Sequence, residues 1–182
     1  MDGSEFIQRL DDFGDREAMV WRGGVYSYSN LLRRIERWRE ILTRQRLDRG
    51  SCVAFCGDFS PGTATLMIAL ITEGHVAIPL TRSVLSREDR EQRSVYAAGV
   101  FDFDDRDDWD FTLRTEVQGH PLLDGLRERG EAGLVLFSSG STGRAKASLH
   151  CYPRLLSRFG RRGRAFRVLT FLLLDHMGGV NT

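Results

Sequence analysis

Three consecutive segments decide the fold: Ser51-Cys52-Val53-Ala54-Phe55-Cys56-Gly57, the apolar stretch from Pro61 to Glu73, and Val76-Ala77-Ile78-Pro79-Leu80. The first and third are short apolar runs bounded by turn residues, which read as strands. The middle one is longer and opens on a proline, which suits the first turn of a helix. Two apolar strands joined by a crossover helix favour parallel pairing, and strands covered on both faces lose the alternation of a half-exposed sheet. The class that follows is α/β.

Toward the N-terminus, Ala18-Met19-Val20-Trp21 and Val25-Tyr26-Ser27-Tyr28 are β-prone runs around Arg22-Gly23-Gly24, the pattern of a hairpin. Ser29 is positioned to cap a helix from about Asn30 to Gln45, on which Leu31, Ile35, Trp38 and Leu42 recur at helical spacing. Toward the C-terminus, Ser86 to Gln92 is polar enough for an exposed helix, and Gly99-Val100-Phe101 starts a strand. Asp102 to Asp110 carries six aspartates in nine positions. It lacks the glycine and distal glutamate of a calcium loop and reads as a solvated, self-repelling loop. After Pro121 the pattern gives a helix from Leu122 to Arg129, a buried strand at Gly133-Leu134-Val135-Leu136-Phe137, and a basic helix from Tyr152 to about Gly163 with Leu155, Leu156 and Phe159 inward. Another buried strand is expected over Val168 to Leu174, running into a helix opening at Gly178-Gly179. The chain divides into a hairpin and helix (1–50), a βαβ unit with the acidic loop (51–118), and the remainder (119–182).

Of the 182 residues, 26 are basic and 25 acidic, for a formal net charge of +1. That balance gives no general attraction to nucleic acid or anionic lipid. Cys52, Cys56 and Cys151 form no CxxC pair, so neither a disulfide framework nor a zinc site is indicated, and a reducing, cytoplasmic compartment is expected. Met1 to Arg16 lacks the basic-then-apolar order of a signal peptide, and the longest apolar run is far short of the ~20 residues of a membrane helix. The basic residues are all arginine but one, Lys146.

That lysine ends a distinctive run, Leu134-Val135-Leu136-Phe137-Ser138-Ser139-Gly140-Ser141-Thr142-Gly143-Arg144-Ala145-Lys146-Ala147. A buried strand delivers a loop with two glycines, four hydroxyls and an ammonium. Such donors without acceptor charge suit a polyphosphate, and glycine lets the backbone come close to an anion. Lysine is a compact point charge able to follow a moving phosphate. The run is not a Walker A loop, because Lys146 stands three residues after Gly143 and is followed by alanine. It is not a dinucleotide fingerprint either, having no second glycine two after the first. A Ser/Gly-rich surface turn that binds nothing is the remaining alternative.

Phe137, Ser138, Ser139, Gly140, Ser141, Thr142, Gly143 and Lys146 match, in order, the signature loop of the adenylate-forming superfamily, an aromatic followed by [TS]SG[TS]TGxPKG. The sequence thus resembles the N-terminal part of an acyl-CoA synthetase or adenylation domain. Ala145 stands in the place of the usual proline and Ala147 in that of the last glycine, which changes the loop's stiffness and leaves its donors. The order of hairpin, helix and βαβ unit closing in Ala77-Ile78-Pro79-Leu80 is similar to the front of such enzymes. Leu172-Leu173-Leu174-Asp175-His176-Met177-Gly178-Gly179 resembles their segment beside the carboxylate pocket.

The resemblance implies a ligase that activates a carboxylic acid with MgATP, giving acyl-AMP and pyrophosphate, and passes the acyl group to a thiol of coenzyme A or of a carrier protein's phosphopantetheine. It implies that Ser138, Ser139, Gly140, Ser141, Thr142 and Gly143 hold the β- and γ-phosphates. It further implies that Lys146 follows the pyrophosphate and that His176 borders the acyl carboxylate or gates the thiol route. The family's Mg2+ ligand, adenine motif, ribose-binding aspartate and C-terminal lid domain are expected outside these residues, making this an N-terminal fragment that does not turn over alone. The competing expectation is a non-catalytic remnant that keeps a phosphate-binding loop.

Overall fold

The computed structural model describes residues 3–138, 145–157, 160 and 166–180. The chain runs α1 (Gly3–Asp11), β1 (Glu17–Trp21), β2 (Gly24–Ser27), α2 (Tyr28–Arg44), β3 (Cys52–Cys56), α3 (Pro61–Thr72), β4 (Val76–Leu80) and α4 (Arg87–Arg93). It continues through β5 (Gly99–Phe103), β6 (Trp109–Leu113), α5 (Pro121–Glu128), β7 (Gly133–Ser138), β8 (Lys146–Cys151), α6 (Tyr152–Ser157) and α7 (Met177–Val180).

The first two strands form the expected hairpin, and the turn chemistry explains it. Arg22 and Gly23 both have positive φ, 49° and 79°, as a two-residue turn matched to strand twist demands. Arg22 meets the cost of that conformation while its guanidinium lies 5.0 Å from the Trp21 ring centre. The helix that follows starts earlier than expected. Ser27, not Ser29, is the cap, its side chain accepting from the Asn30 backbone N–H. Tyr28 therefore belongs to the helix rather than the strand. The four residues of α2 that are buried are the Leu31, Ile35, Trp38 and Leu42 stripe.

The main sheet has the order β6-β5-β3-β4-β7-β8. Its four inner strands are parallel, and the two outer ones, β6 and β8, are antiparallel to their neighbours. Strand alternation sorts the inner residues onto two faces. Val53, Phe55, Ala77, Phe101, Phe103, Leu134 and Leu136 face a core built with α2, α3 and α6. Cys52, Ala54, Cys56, Val76, Ile78, Leu80 and Val135 face the other, with Leu126 of α5 over them. Because both faces are covered, β3 and β4 are buried at every position. The same coverage explains why α3 is apolar around its circumference. It has Pro61 in its first turn and a capping box between Ser60 and Thr63.

Two expectations change. The aspartate-rich run is not a free loop: Asp102 and Asp110 pair within the β5–β6 ladder, joined by a tight turn. One of its carboxylates is a structural clasp, since Asp107 accepts from Ser60 Oγ at 2.5 Å and from the Gly62 backbone N–H at 2.7 Å, bonding the start of α3. The stretch Val168 to Leu174 is not a strand. It has no regular structure, and Val168, Leu169 and Phe171 are exposed, Leu169 by 88% and Phe171 by 82%, with only Leu174 buried at its end. It pairs with no strand of either sheet, and apolar composition without a backbone ladder does not make a strand. The basic helix is described only over Tyr152–Ser157, where Leu155 and Leu156 are buried as expected, while Phe159 lies outside the described residues.

Candidate functional site at the carboxyl edge of the sheet

In a parallel sheet the strands deliver their following loops to one edge, and ligands bind there. Around β3, β4 and β5 that edge is tied together by side chains. Asp58 Oδ1, just past β3, accepts from the backbone N–H groups of Arg82 and Ser83, both at 3.2 Å, and from Ser83 Oγ at 3.0 Å. Arg82, just past β4, donates through Nη1 to the Phe103 carbonyl at 2.5 Å and to Asp102 Oδ1 at 3.3 Å on β5. The three loops are stitched into one rim.

β7 is different. The β4–β7 ladder holds two pairs, Val76↔Gly133 and Ala77↔Leu134, and stops. The cause is readable in the backbone. The His75 carbonyl accepts from Gly133 N–H and the Leu80 carbonyl accepts from Gly57 N–H, so odd-numbered residues of β4 face β7 and even-numbered ones face β3. Pro79 is odd and has no N–H, so the next donor toward β7 is missing. Beyond that point β7 pairs with β8 alone, through the last four of the six antiparallel pairs that run from Gly133↔Cys151 to Ser138↔Lys146.

Two expected site residues are thereby brought face to face. Ser138 ends β7, Lys146 begins β8, both are exposed, and Ser138 Oγ reaches the Lys146 carbonyl at 3.5 Å, the far end of hydrogen-bond range. A hydroxyl and an ammonium flank the mouth of the segment between the strands, with no carboxylate paired to the lysine among the described residues. Ser139, Gly140, Ser141, Thr142 and Gly143 lie outside the described residues. The aromatic residue before the loop, Phe137, is half-buried with the Arg93 guanidinium 5.3 Å from its ring centre.

His176 is placed by a contact that the sequence did not reveal. Thr81, the first residue after β4, donates its hydroxyl to Asp175 Oδ2, and the other oxygen of that carboxylate lies 3.7 Å from His176 Nε2. Thr81 and Ser138 each stand five residues beyond the paired Val76 and Gly133, so His176 and the Ser138–Lys146 pair both belong to the diverging ends of β4 and β7. A threonine following an apolar strand and an aspartate before a histidine carry little signal alone. Only the fold pairs them. His75, by contrast, is buried at the other end of β4, and its burial pushes its pKa below the ordinary imidazole value. Burial likewise pushes the Cys52 thiol up to about 12 and the Cys56 thiol to about 11, so both are unreactive core groups. Among the described residues no group of three or more His, Cys, Asp or Glu is arranged to hold a metal, and no helix is long and apolar enough to cross a membrane.

No family model matches the sequence, and no curated protein is similar enough to match. Solved structures do match the fold. The N-terminal subdomain of Klebsiella oxytoca NpsA in complex with 3-hydroxybenzoyl-AMSN is 21% identical with a TM-score of 0.65, over 86% of this chain and 42% of that one. Bacillus subtilis o-succinylbenzoate CoA synthetase, MenE, in complex with its acyl-adenylate intermediate is 16% identical with a TM-score of 0.68, over 95% of this chain and 50% of that one. An artificially fused adenylation–PCP di-domain, NpsA-ThdA, is 20% identical with a TM-score of 0.64, over 88% of this chain and 34% of that one. The chain therefore has the α/β fold of the N-terminal part of adenylate-forming enzymes. It spans between about a third and a half of the length of these structures.

Proposed function

We propose that this chain forms the phosphate-binding front of an ATP-dependent ligase that activates a carboxylic acid as its acyl-adenylate. The observation that carries the reading is the Ser138↔Lys146 pair, which brings the residues on the two sides of the signature stretch together at the carboxyl edge of a sheet of this fold. In the reaction, the acid's carboxylate oxygen attacks the α-phosphorus of ATP, forming the acyl–oxygen–phosphorus bond and expelling pyrophosphate. Ser138, Ser139, Ser141, Thr142 and the loop amides would hold the β- and γ-phosphates, and Lys146 would neutralise the charge that grows on the leaving pyrophosphate. His176 would border the carboxylate or gate the route of the thiol. The thiol that takes the acyl group would be coenzyme A or a carrier protein's phosphopantetheine. The support for both acceptors is that the fold's neighbours include a CoA synthetase and an adenylation domain fused to a PCP.

The magnesium ligand would come from outside this chain, as the resemblance to the adenylate-forming superfamily implies. The adenine contacts, the ribose contacts and the C-terminal lid domain would come from further polypeptide, given the share of the matched structures that this chain spans. The chain alone is accordingly expected to give no exchange of pyrophosphate into ATP. Burial of Cys52 and Cys56 as free thiols is compatible with a cytoplasmic setting.

The test is a pyrophosphate titration of the 182-residue chain, followed at the amide resonances of Ser138 and Lys146. Lys146→Ala is expected to weaken binding about 10- to 100-fold, the worth of one charge-assisted contact of ~1.5–3 kcal/mol, and Lys146→Arg to recover part of it. Amides unmoved by millimolar pyrophosphate, or a Lys146→Ala variant that binds as well as the parent, would sink the reading.

A further inference from the structure

At the diverging end of β4 and β7 one polar atom is unaccounted for. The Asp175 side chain is only 11% exposed, its Oδ2 is held by the Thr81 hydroxyl, and its Oδ1 is buried with no hydrogen-bond partner. A buried carboxylate oxygen left unpaired is costly, so a donor must be within reach. One such donor is the His176 imidazole, 62% exposed, whose Nε2 lies 3.7 Å from that oxygen. A ring shift of under about 1 Å would bring the two into the normal hydrogen-bond range. The backbone is set for it: the His176 N–H donates to the Leu173 carbonyl at 3.1 Å, closing a turn, and the His176 carbonyl accepts from Val180 N–H at 3.1 Å, so ring and carboxylate share a compact bend.

We propose that Asp175, fixed by Thr81, is the positioning residue of His176. Its Oδ1 receives the Nε2–H, which sets the tautomer and leaves Nδ1 as the ring's outward acceptor. The relay runs from the end of β4 through Thr81 and Asp175 to the imidazole, so the central sheet itself orients the one histidine at this edge. The functional meaning rests on the reading of His176 as a site residue, but the arrangement is a property of this chain alone.

The experiment needs no substrate, so its outcome is independent of the pyrophosphate titration. The chain is labelled with 15N at its histidines, the His176 ring signals are assigned by their loss in His176→Gln, and the ring nitrogen bearing the proton is read at a pH where the imidazole is neutral. The parent is expected to carry the proton on Nε2. In Asp175→Asn the amide oxygen pairs with Thr81 and its NH2 faces the ring, so the proton is expected to move to Nδ1, against the ring's intrinsic preference. A general structural role for Asp175 would not reverse the tautomer. Thr81→Val keeps the carboxylate but frees it, and is expected to speed exchange of the Nε2 proton with water about tenfold, the loss of roughly one hydrogen bond. The proposal is overturned if the parent ring is protonated at Nδ1, or if folded Asp175→Asn keeps the proton on Nε2. Should Asp175→Asn not fold, an unchanged exchange rate in Thr81→Val overturns it.

Discussion

The βαβ unit of β3, α3 and β4 and the two-stranded arm of β7 and β8 belong to one sheet but are built in opposite ways. β3 and β4 are paired over five residues and buried throughout, with a helix capped at both its hydroxyl and its proline. β7 joins β4 through two pairs only, while β8 is exposed over its first half and pairs with no strand but β7. The buried unit carries the stability. The arm carries the groups proposed to meet a ligand. What separates them is a single missing N–H at Pro79, so neighbouring strands of one sheet can differ this much in how far they are paired.

The strongest challenge to that division is truncation of an apolar side chain in each half. Phe55→Ala in β3, where the side chain is fully buried, is expected to cost about 3–5 kcal/mol in urea denaturation. Leu149→Ala in β8, half-buried, should cost less than about half as much. Equal losses would mean that the arm is as integral as the core. A smaller effect tests the end of the β4–β7 ladder itself. Pro79→Val restores the missing donor and is expected to extend the β4–β7 ladder, with slowed amide exchange at residue 79 and a gain of about 1 kcal/mol or less. If the exchange of that amide is as fast as in an exposed loop, something other than the proline ends the ladder.

The finest adjustment is at the other end of β4, where the His75 carbonyl takes the Gly133 N–H that begins the arm. Its imidazole is buried and its pKa lowered, so the folded state resists protonation more than the unfolded chain does. The unfolded state binds the extra proton as pH falls below the ordinary histidine range, so this contribution to stability is intact above that range and is lost on acidification. A chain with His75→Gln should show a shallower fall in melting temperature between pH 7 and pH 5 than the parent. Parallel curves would remove His75 from the account.

The sequence made the scaffold legible and the arm less so, for a physical reason. Residues such as Val53, Phe55 and Ile78 are apolar because they are covered on both sides, and Leu31, Ile35, Trp38 and Leu42 repeat because one helical face is covered, so burial writes itself into composition. β8, Lys146-Ala147-Ser148-Leu149-His150-Cys151, is a strand through pairing with β7 rather than through burial and has no such trace. β6 was hidden by neighbouring aspartates although Trp109 and Phe111 alternate toward the core. The helix α1 was obscured in the same way, its Phe6, Ile7 and Leu10 lying among acidic residues. Val168 to Leu174 misled in the other direction, apolar without cover. At the site, the glycine and hydroxyl spacing announced the loop, but the Thr81–Asp175 contact joins residues 94 apart and has no local pattern.

Lys146 is exposed and carries the sole ε-amine of the chain. An amine-selective dye therefore has one side chain to find, and it is the one at the mouth of the loop. Apart from the α-amino group, labelling stoichiometry would report on a single position without any engineered cysteine, and protection of that amine by an added anion would be visible by mass alone.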